Sequence, residues 1–193
     1  MELNGKTILI TGANRGIGRG LVEEALKRGA KRVFAGTRVP LTHPDPRVIP
    51  LLLDVTIAEQ IENAVATIGD LDILVNNAGV ALAPLPLIAS YSISKAAAFS
   101  LTQSLRAFLA AKGIRVHAVL TGPVDTDMNR GLDIPKASPE SAAFAIFEGV
   151  EEEEEDIFPD PMSAAMADGW RRGAVKAMER QNAQFVATDL VRV

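Results

Sequence analysis

The sequence predicts an α/β protein built on a doubly wound parallel sheet. Short apolar, β-branched runs alternate with amphipathic stretches along all 193 residues. The predicted strands are apolar almost throughout, as expected when helices cover both faces of a parallel sheet. No shift in composition separates the chain into parts, so residues 1–193 are expected to form a single domain.

The first half of the chain predicts four strands and two helices. The run Lys6 to Ile10 is short and β-branched, and the stripe that begins at Ile17 and ends at Leu26 has helical spacing. A second helix is indicated by apolar residues that recur at helical intervals from Ile57 to Ile68. The remaining strands are predicted at Lys31 to Gly36, Val48 to Leu53 and Leu71 to Val75.

The second half continues the alternation. Apolar residues recur every four positions from Ile93 to Leu109, and Gly113 is expected to end that helix before a strand at Ile114 to Leu120. Three further elements follow in order: a helix over Pro139 to Val150, a short strand near Ile157 and Phe158, and a last helix over Met162 to Gln184.

Composition excludes several function classes. The formal net charge is −4, hydrophobic residues make up 48%, and there are 2 His and no Cys. This balance gives no electrostatic footprint for nucleic acid, and it excludes disulfides, thiolate nucleophiles and imidazole-rich metal sites. The longest weakly charged stretch, Leu71 to Ile93, contains Pro84 and Pro86 and so fails as a membrane span. The amino terminus lacks the apolar core of a signal peptide, which predicts a cytoplasmic protein.

A glycine-rich turn lies where the first strand ends and the first helix begins. Its glycines are Gly12, Gly16 and Gly18, within Thr11 to Gly18. Backbone amides and the helix dipole at such a place bind a pyrophosphate, whereas the alternative is an ordinary tight turn. The strand before and the helix after favour dinucleotide binding.

The residues after the second strand indicate which dinucleotide is bound. Dinucleotide-binding folds usually carry an acid there for the ribose 2′-hydroxyl, but this chain offers Thr37 and Arg38, with Arg15 inside the turn. Two guanidinium groups suit a 2′-phosphate and favour NADP (NADPH) over NAD. Solvated surface arginines are the alternative.

Tyr91, the only tyrosine, and Lys95 lie four residues apart on the predicted third helix, so both side chains share one helix face. A nearby ammonium favours a phenolate, which makes Tyr91 a candidate general acid or base. A tyrosine at a helix start with a solvated lysine is the alternative.

Four motifs occur in a fixed order: the turn Thr11 to Gly18, Asn76 to Gly79, Tyr91 to Lys95, and Gly122 to Thr126. Together they resemble the classical short-chain dehydrogenase/reductase family, over Gly5 to about Phe185. The resemblance implies a Rossmann fold and reversible hydride transfer between NADP(H) and a small carbonyl or alcohol.

The resemblance also implies a role for each motif. Tyr91 would donate the proton, and Lys95 would bind the nicotinamide ribose. The implied cofactor-binding residues are Gly12, Arg15, Gly16, Ile17 and Gly18 at the pyrophosphate, Asp54 and Val55 at the adenine, Asn77, Ala78 and Gly79 at the adenosine ribose, and Gly122, Pro123, Val124 and Thr126 at the nicotinamide.

The chain departs from the family pattern before Tyr91. Members carry a helix and a strand there, with an asparagine and a catalytic serine, whereas only Val80 to Ser90 intervene in this chain. Eleven residues are too few for that pair, since a βαβ unit needs about 30. Loss of a whole unit still permits a sheet of six strands. Ser90 is at least as well suited to cap the helix as to replace the missing catalytic hydroxyl, and Ser92 and Ser94 suit contacts with solvent or backbone. None of these three serines is assigned a catalytic role.

Two functions therefore remain open: an NADP(H)-dependent oxidoreductase with Tyr91 and Lys95 as its catalytic pair, or an NADP(H)-binding protein with little carbonyl reductase activity or only hydride transfer to dyes and quinones. The uncharged face of Ala96 to Leu109 predicts a homo-oligomer whose interface differs from the family's usual one. Ordinary structural roles are favoured for the acidic run Glu151 to Asp156 as a solvated loop, for His117 within a strand, and for Trp170 in the core.

Overall fold

The computed structural model describes residues 2–76 and 89–189, which fall into two compact units. In chain order the described elements are β1 Thr7–Thr11, α1 Gly16–Lys27, β2 Arg32–Thr37, β3 Val48–Leu52, α2 Ala58–Ile68, β4 Ile73–Val75, α3 Ala89–Ala110, β5 Ala118–Val119, α4 Pro139–Glu151, β6 Asp156–Ile157, α5 Pro161–Arg171 and α6 Ala174–Asp189. A short 3-10 turn occupies Asp127–Asn129.

The first unit comprises the described parts of residues 1–77 and 123–151. Its sheet has four parallel strands in the order β3-β2-β1-β4. Ile8 of β1 is paired with Val33 on one side and with Ile73 on the other. The chain thus winds outwards from β1 in one direction through β2 and β3 and then returns to the opposite side, so β1 and β4 flank a topological switch point.

Both faces of this sheet are covered. On one face, Leu9 and Phe34 pack with Leu53 and with Ala64 and Ile68 of α2. Successive strand residues point to opposite faces, and Ile8 and Ile10 are fully buried on the other side. Helices α1 and α4 pack closely because position 20 is glycine: a Cβ on Gly20 would lie 2.7 Å from the backbone oxygen of Pro139. These layers confirm the predicted doubly wound α/β class.

The second unit comprises the described parts of residues 78–122 and 152–193. Its strands β5 and β6 form a two-stranded parallel ladder, with Ala118 paired with Asp156. Phe99 of α3 is buried with Ala118 and Leu120 and lies 5.5 Å from Trp170 between ring centroids. Trp170 is therefore half-buried and packs against this core rather than inside it.

Several predicted bounds differ from the structure. The first strand begins and ends one residue later, and the strand expected over Ile114 to Leu120 is reduced to Ala118–Val119. The Val116 carbonyl, which precedes β5, accepts a hydrogen bond of 2.8 Å from Arg106 Nε. The predicted last helix is divided into α5 and α6. A Cβ on Gly173 would lie 2.9 Å from the Gly169 oxygen, so the chain turns there at a glycine.

Six strands were predicted in one sheet, and the described residues contain six strands, in hydrogen-bonded ladders of four and two. None of the helices in the described ranges is both long and apolar enough to cross a bilayer.

Candidate functional site

The glycine-rich turn of the first unit joins β1 to α1 and depends on two left-handed backbone positions. Gly12 has a φ of 65° and Gly16 a φ of 52°, both in the region that a side chain disfavours. Arg15 is the N-cap of α1, and no side chain caps that helix end or adds an acid to its first turn within the described residues. The positive end of α1 therefore faces the turn, as an anion site requires.

The start of the segment after residue 122 lies against this turn. A Cβ on Gly16 would come within 3.0 Å of Thr126 Cγ2, and the Arg15 guanidinium lies 3.9 Å from Asp127 Oδ2. Val124 is buried, and its backbone forms a parallel bridge with Ala137. Two predicted cofactor segments, around Gly16 and Thr126, therefore meet within one unit, and a Cβ at position 16 would crowd the Thr126 side chain.

The turn also lies at the topological switch point. Thr11 is the last residue of β1, and its hydroxyl donates to the Val75 carbonyl at 3.4 Å and lies 3.1 Å from Asn76 Oδ1, both at the end of β4. Ligands of doubly wound sheets bind at the carboxyl ends of the strands beside this point. Asn77, Ala78 and Gly79, which continue the motif, lie outside the described residues.

The next strand ends carry the predicted adenine and phosphate residues. Arg38 is exposed after β2, and Asp54 and Val55 follow β3. Hydrogen bonds from the Thr56 backbone N–H and hydroxyl lower the pKa of Asp54, and the positive charge of Arg38 lowers it further. Arg38 is therefore near enough to Asp54 for their charges to interact. The Thr37 hydroxyl donates to the Val39 carbonyl, so it is already occupied.

The predicted catalytic pair lies in the second unit, near the start of α3. Tyr91 and Lys95 are both half-buried, and the Lys95 ammonium lies 5.2 Å from the centre of the Tyr91 ring, above its face. The Ser94 hydroxyl donates a hydrogen bond of 2.7 Å to the Tyr91 backbone carbonyl. Ser90 lies inside α3 and is exposed, so it does not cap the helix.

Residues 6–84 and 80–136 match the short chain dehydrogenase family, which accounts for more than half of the chain. The chain belongs to the short-chain dehydrogenase family. Its glycine-rich turn, Asn76 and the Tyr91–Lys95 pair all fall inside the matched ranges.

Individual members agree with this assignment. The sorbitol dehydrogenase of Cereibacter sphaeroides is 30% identical, over 69% of this chain and 76% of that protein. The short chain dehydrogenase pigC of Monascus ruber is 35% identical over 41% of this chain, and the aligned part spans only 32% of pigC. A solved short-chain dehydrogenase from Burkholderia cenocepacia J2315, in complex with NADP, is 29% identical, with a TM-score of 0.81 over 94% of this chain and 98% of that chain.

The structure of this short-chain dehydrogenase also reveals a residue that sequence reasoning did not single out. Asp160 is the N-cap of α5, and its buried carboxylate accepts a hydrogen bond of 2.7 Å from the backbone N–H of Gly122. The signal was present in the sequence: an Asp before a Pro, with a Ser three residues on, is typical of a helix start.

The acidic run predicted as a solvated loop has that structure only at Glu152 and Glu153, which are exposed in a turn, and the prediction is wrong for Asp156. Asp156 is 3% exposed and links the second unit together: its carboxylate accepts from Trp170 Nε1 at 2.8 Å, from Lys176 Nζ at 2.6 Å and from Arg106 at 2.8 Å. Burial opposes the charged form, but the bonds from Lys176 and Trp170 outweigh it and lower the pKa of Asp156. These three donors, from three different helices, compensate for the burial of the Asp156 carboxylate.

His117 has the structural role that the sequence predicted. Its Nδ1 lies against the Glu154 carbonyl, and burial lowers the pKa of the imidazole. Within the described ranges, no group of three His, Asp or Glu side chains is placed to hold a metal ion.

Proposed function

We propose that the protein is an NADP(H)-dependent oxidoreductase that transfers a hydride between nicotinamide and a small carbonyl or alcohol. The observation that carries the proposal is the turn at the switch point, where left-handed glycines and an uncapped helix start lie closely packed against Thr126. Family membership supplies the reaction class.

Different residues of this chain would bind different parts of NADP(H). The amides of Gly12, Gly16, Ile17 and Gly18 would hold the diphosphate, and Arg38 with Arg15 would bind the 2′-phosphate. Asp54 and Val55 would lie at the adenine, Asn77 to Gly79 at the adenosine ribose, and Gly122 to Thr126 at the nicotinamide. When bound, NADPH supplies the hydride.

Tyr91 and Lys95 would handle the proton. The Tyr91 phenol gives its proton to the carbonyl oxygen in reduction and takes one from the hydroxyl in oxidation. The Lys95 ammonium, placed over the same ring, favours the charged phenolate left behind. This arrangement needs no metal ion.

The test combines binding with turnover. NADPH should bind in isothermal titration calorimetry, and Tyr91→Phe should abolish reduction of a panel of small ketones while leaving NADPH affinity within about threefold. Lys95→Met should also reduce turnover, and Lys112→Met, an exposed lysine just beyond α3, is the matched control that should not. Turnover that ignores Tyr91→Phe would contradict the proposed chemistry.

A second function is favoured by one specific observation, the shortness of the chain between Gly79 and Tyr91, which leaves out the family's catalytic serine and asparagine. The protein would then bind NADP(H) without reducing carbonyls, or would pass hydride only to dyes and quinones. Losing one such donor costs about 100- to 1000-fold in turnover. Saturable NADPH binding with no ketone reduction in wild type and an unchanged rate with dyes in Tyr91→Phe would favour this alternative.

Coenzyme choice has its own variant pair. Arg38→Asp should weaken NADPH much more than NADH, because the new carboxylate repels the 2′-phosphate that only NADPH carries. Arg32, exposed at the opposite end of the same strand, provides the control Arg32→Asp, which should change neither affinity. Equal effects of Arg38→Asp on both coenzymes would remove the 2′-phosphate assignment.

We also propose that the protein self-associates through α3. Phe99 is buried, while Ile93, Leu101 and Phe108, on the opposite side of the helix, are between 55% and 70% exposed. Three large apolar side chains along one helix stripe favour a second copy of the same helix. Analytical ultracentrifugation over a range of concentrations should show a dimer or larger species, and Leu101→Glu should shift it to monomer. Monomer alone in wild type would refute this.

A further inference from the structure

The carboxylate of Asp160 is buried and has five hydrogen-bond donors within reach in the second unit, of which the Thr121 hydroxyl is shared with the Gly122 carbonyl at 3.1 Å. The side chain belongs to a residue that is 4% exposed. Its donors are the backbone N–H groups of Met162, Ser163 and Gly122 and the hydroxyls of Ser163 and Thr121. A carboxylate with this many donors is held in one orientation.

Ser163 donates to both oxygens of Asp160, whereas the other donors each contact only one of them. Oδ1 accepts from Met162 N at 3.1 Å and Ser163 N at 3.0 Å, which is the capping of α5. Oδ2 accepts from Gly122 N at 2.7 Å and from Thr121 Oγ1 at 3.3 Å, which lie 38 and 39 residues earlier in the chain. Oδ2 also accepts a local bond of 2.7 Å from Ser163 Oγ, but its bonds from Gly122 and Thr121 are not needed to cap α5.

The contact between Asp160 and Gly122 accounts for the residue type at position 122. A Cβ on Gly122 would lie 2.6 Å from Asp160 Oδ1, which is closer than real Cβ atoms approach, and 3.3 Å from its Cγ. The carboxylate therefore explains why glycine stands at this position, independently of any ligand. The backbone of Thr121 and Gly122 is pressed against Asp160 and hydrogen-bonded to it.

We propose that Asp160 is a positioning residue for the nicotinamide end of the cofactor, acting by fixing the backbone of Thr121 and Gly122. The inference rests on the proposed function, in which Gly122 to Thr126 meet the nicotinamide. Asp160 itself does not touch the reacting atoms. Displacing the backbone by about 1 Å in such a segment is enough to cost a large factor in productive binding.

The decisive variant is Asp160→Asn, which keeps the size and shape of the side chain. Its amide oxygen is needed at the Oδ1 position, where two backbone N–H groups of α5 donate, so the NH2 group replaces Oδ2 and faces the N–H of Gly122. Two donors then oppose each other, and the cap survives while the bond to Gly122 is lost.

The measurement compares two ligands by calorimetry. NADPH includes the nicotinamide half, whereas adenosine 2′,5′-bisphosphate carries only the part assigned to the glycine turn, Arg38 and Asp54. Asp160→Asn should weaken NADPH about tenfold and adenosine 2′,5′-bisphosphate less than twofold. Equal changes for the two ligands, or no change for either, would overturn the inference.

Ser163→Ala is the matched control. It removes the Ser163 hydroxyl that donates to Asp160 Oδ2 at 2.7 Å but leaves the bond to Gly122, so it should lower the thermal midpoint while changing NADPH affinity less than twofold. A loss of NADPH affinity equal to that of Asp160→Asn would show that Asp160 acts only through general packing. Wild-type protein that binds neither ligand would instead refute the proposed function, which keeps the two failures distinct.

Thr121→Val provides a milder variant should Asp160→Asn fail to fold. It removes one hydroxyl that donates to Oδ2 and retains the β-branched shape. NADPH affinity should fall about threefold, with adenosine 2′,5′-bisphosphate unchanged. An unaltered NADPH affinity in a folded Thr121→Val protein would count against the inference.

Discussion

Replacing Gly16 by alanine tests how closely the glycine-rich turn and Thr126 approach each other in the folded protein. Gly16 has a φ of 52°, and an added Cβ would lie 3.0 Å from Thr126 Cγ2 and 3.5 Å from its Cβ. The substitution therefore combines a backbone cost with a steric one. A second glycine of the same unit, Gly131, has a φ of 86° and nothing within 4 Å of its Cβ position, so Gly131→Ala has only the backbone cost.

The magnitudes follow from these two environments. A left-handed conformation costs an alanine about 1–2 kcal/mol, offset by about 0.4–1 kcal/mol of lost freedom in the unfolded chain. Gly131→Ala should thus lower the free energy of unfolding by about 1 kcal/mol. Crowding against Thr126 adds about 1–3 kcal/mol, so Gly16→Ala should lower it by about 2–4 kcal/mol.

Urea denaturation followed by circular dichroism measures both values. Thr126→Ser removes only the Cγ2 methyl, so the double variant Gly16→Ala with Thr126→Ser should recover most of the steric part, about 1–2 kcal/mol. Equal losses for Gly16→Ala and Gly131→Ala, or no coupling with Thr126→Ser, would refute the close approach of these two segments.

Three further predictions concern charged groups. Asp156→Asn should lower the free energy of unfolding by about 1–3 kcal/mol in urea denaturation, because the Lys176 ammonium and the Arg106 guanidinium keep Glu179 but lose their most buried carboxylate partner, whereas exposed Glu152→Gln should change it by less than about 0.5 kcal/mol. Burial lowers the pKa of His117 from 6.5, so below that pH the unfolded chain binds a proton more readily than the folded protein does. The free energy of unfolding should therefore be highest above pH 6.5 and decrease as the pH falls below it. Urea denaturation from pH 5 to 7.5 measures this slope, which His117→Gln should flatten. Hydrogen bonds from Arg47 lower the pKa of Asp45 to about 2, and an NMR titration of its carboxyl carbon should show that value, while a midpoint near 3.8 would contradict the contact.

The sequence alone determined the elements with strong periodicity and the turn between β1 and α1. Alternating apolar runs and helical stripes are local patterns that the sequence shows directly. A backbone position with a positive φ also favours glycine, so Gly12 and Gly16 indicate the turn. For the same reason Tyr91 and Lys95 could be placed on one helix face from their spacing.

Only the tertiary structure decided what these residues meet. The charge run that ends at Asp156 is locally identical to a solvated loop, and nothing near it in the chain reveals that Arg106 and Lys176 arrive from distant helices. Asp160 has a local capping signature, but its bond to Gly122 joins residues 38 positions apart. Burial and long-range partners depend on how distant segments of the chain pack together, and the residues next to Asp156 or Asp160 in the sequence do not reveal them.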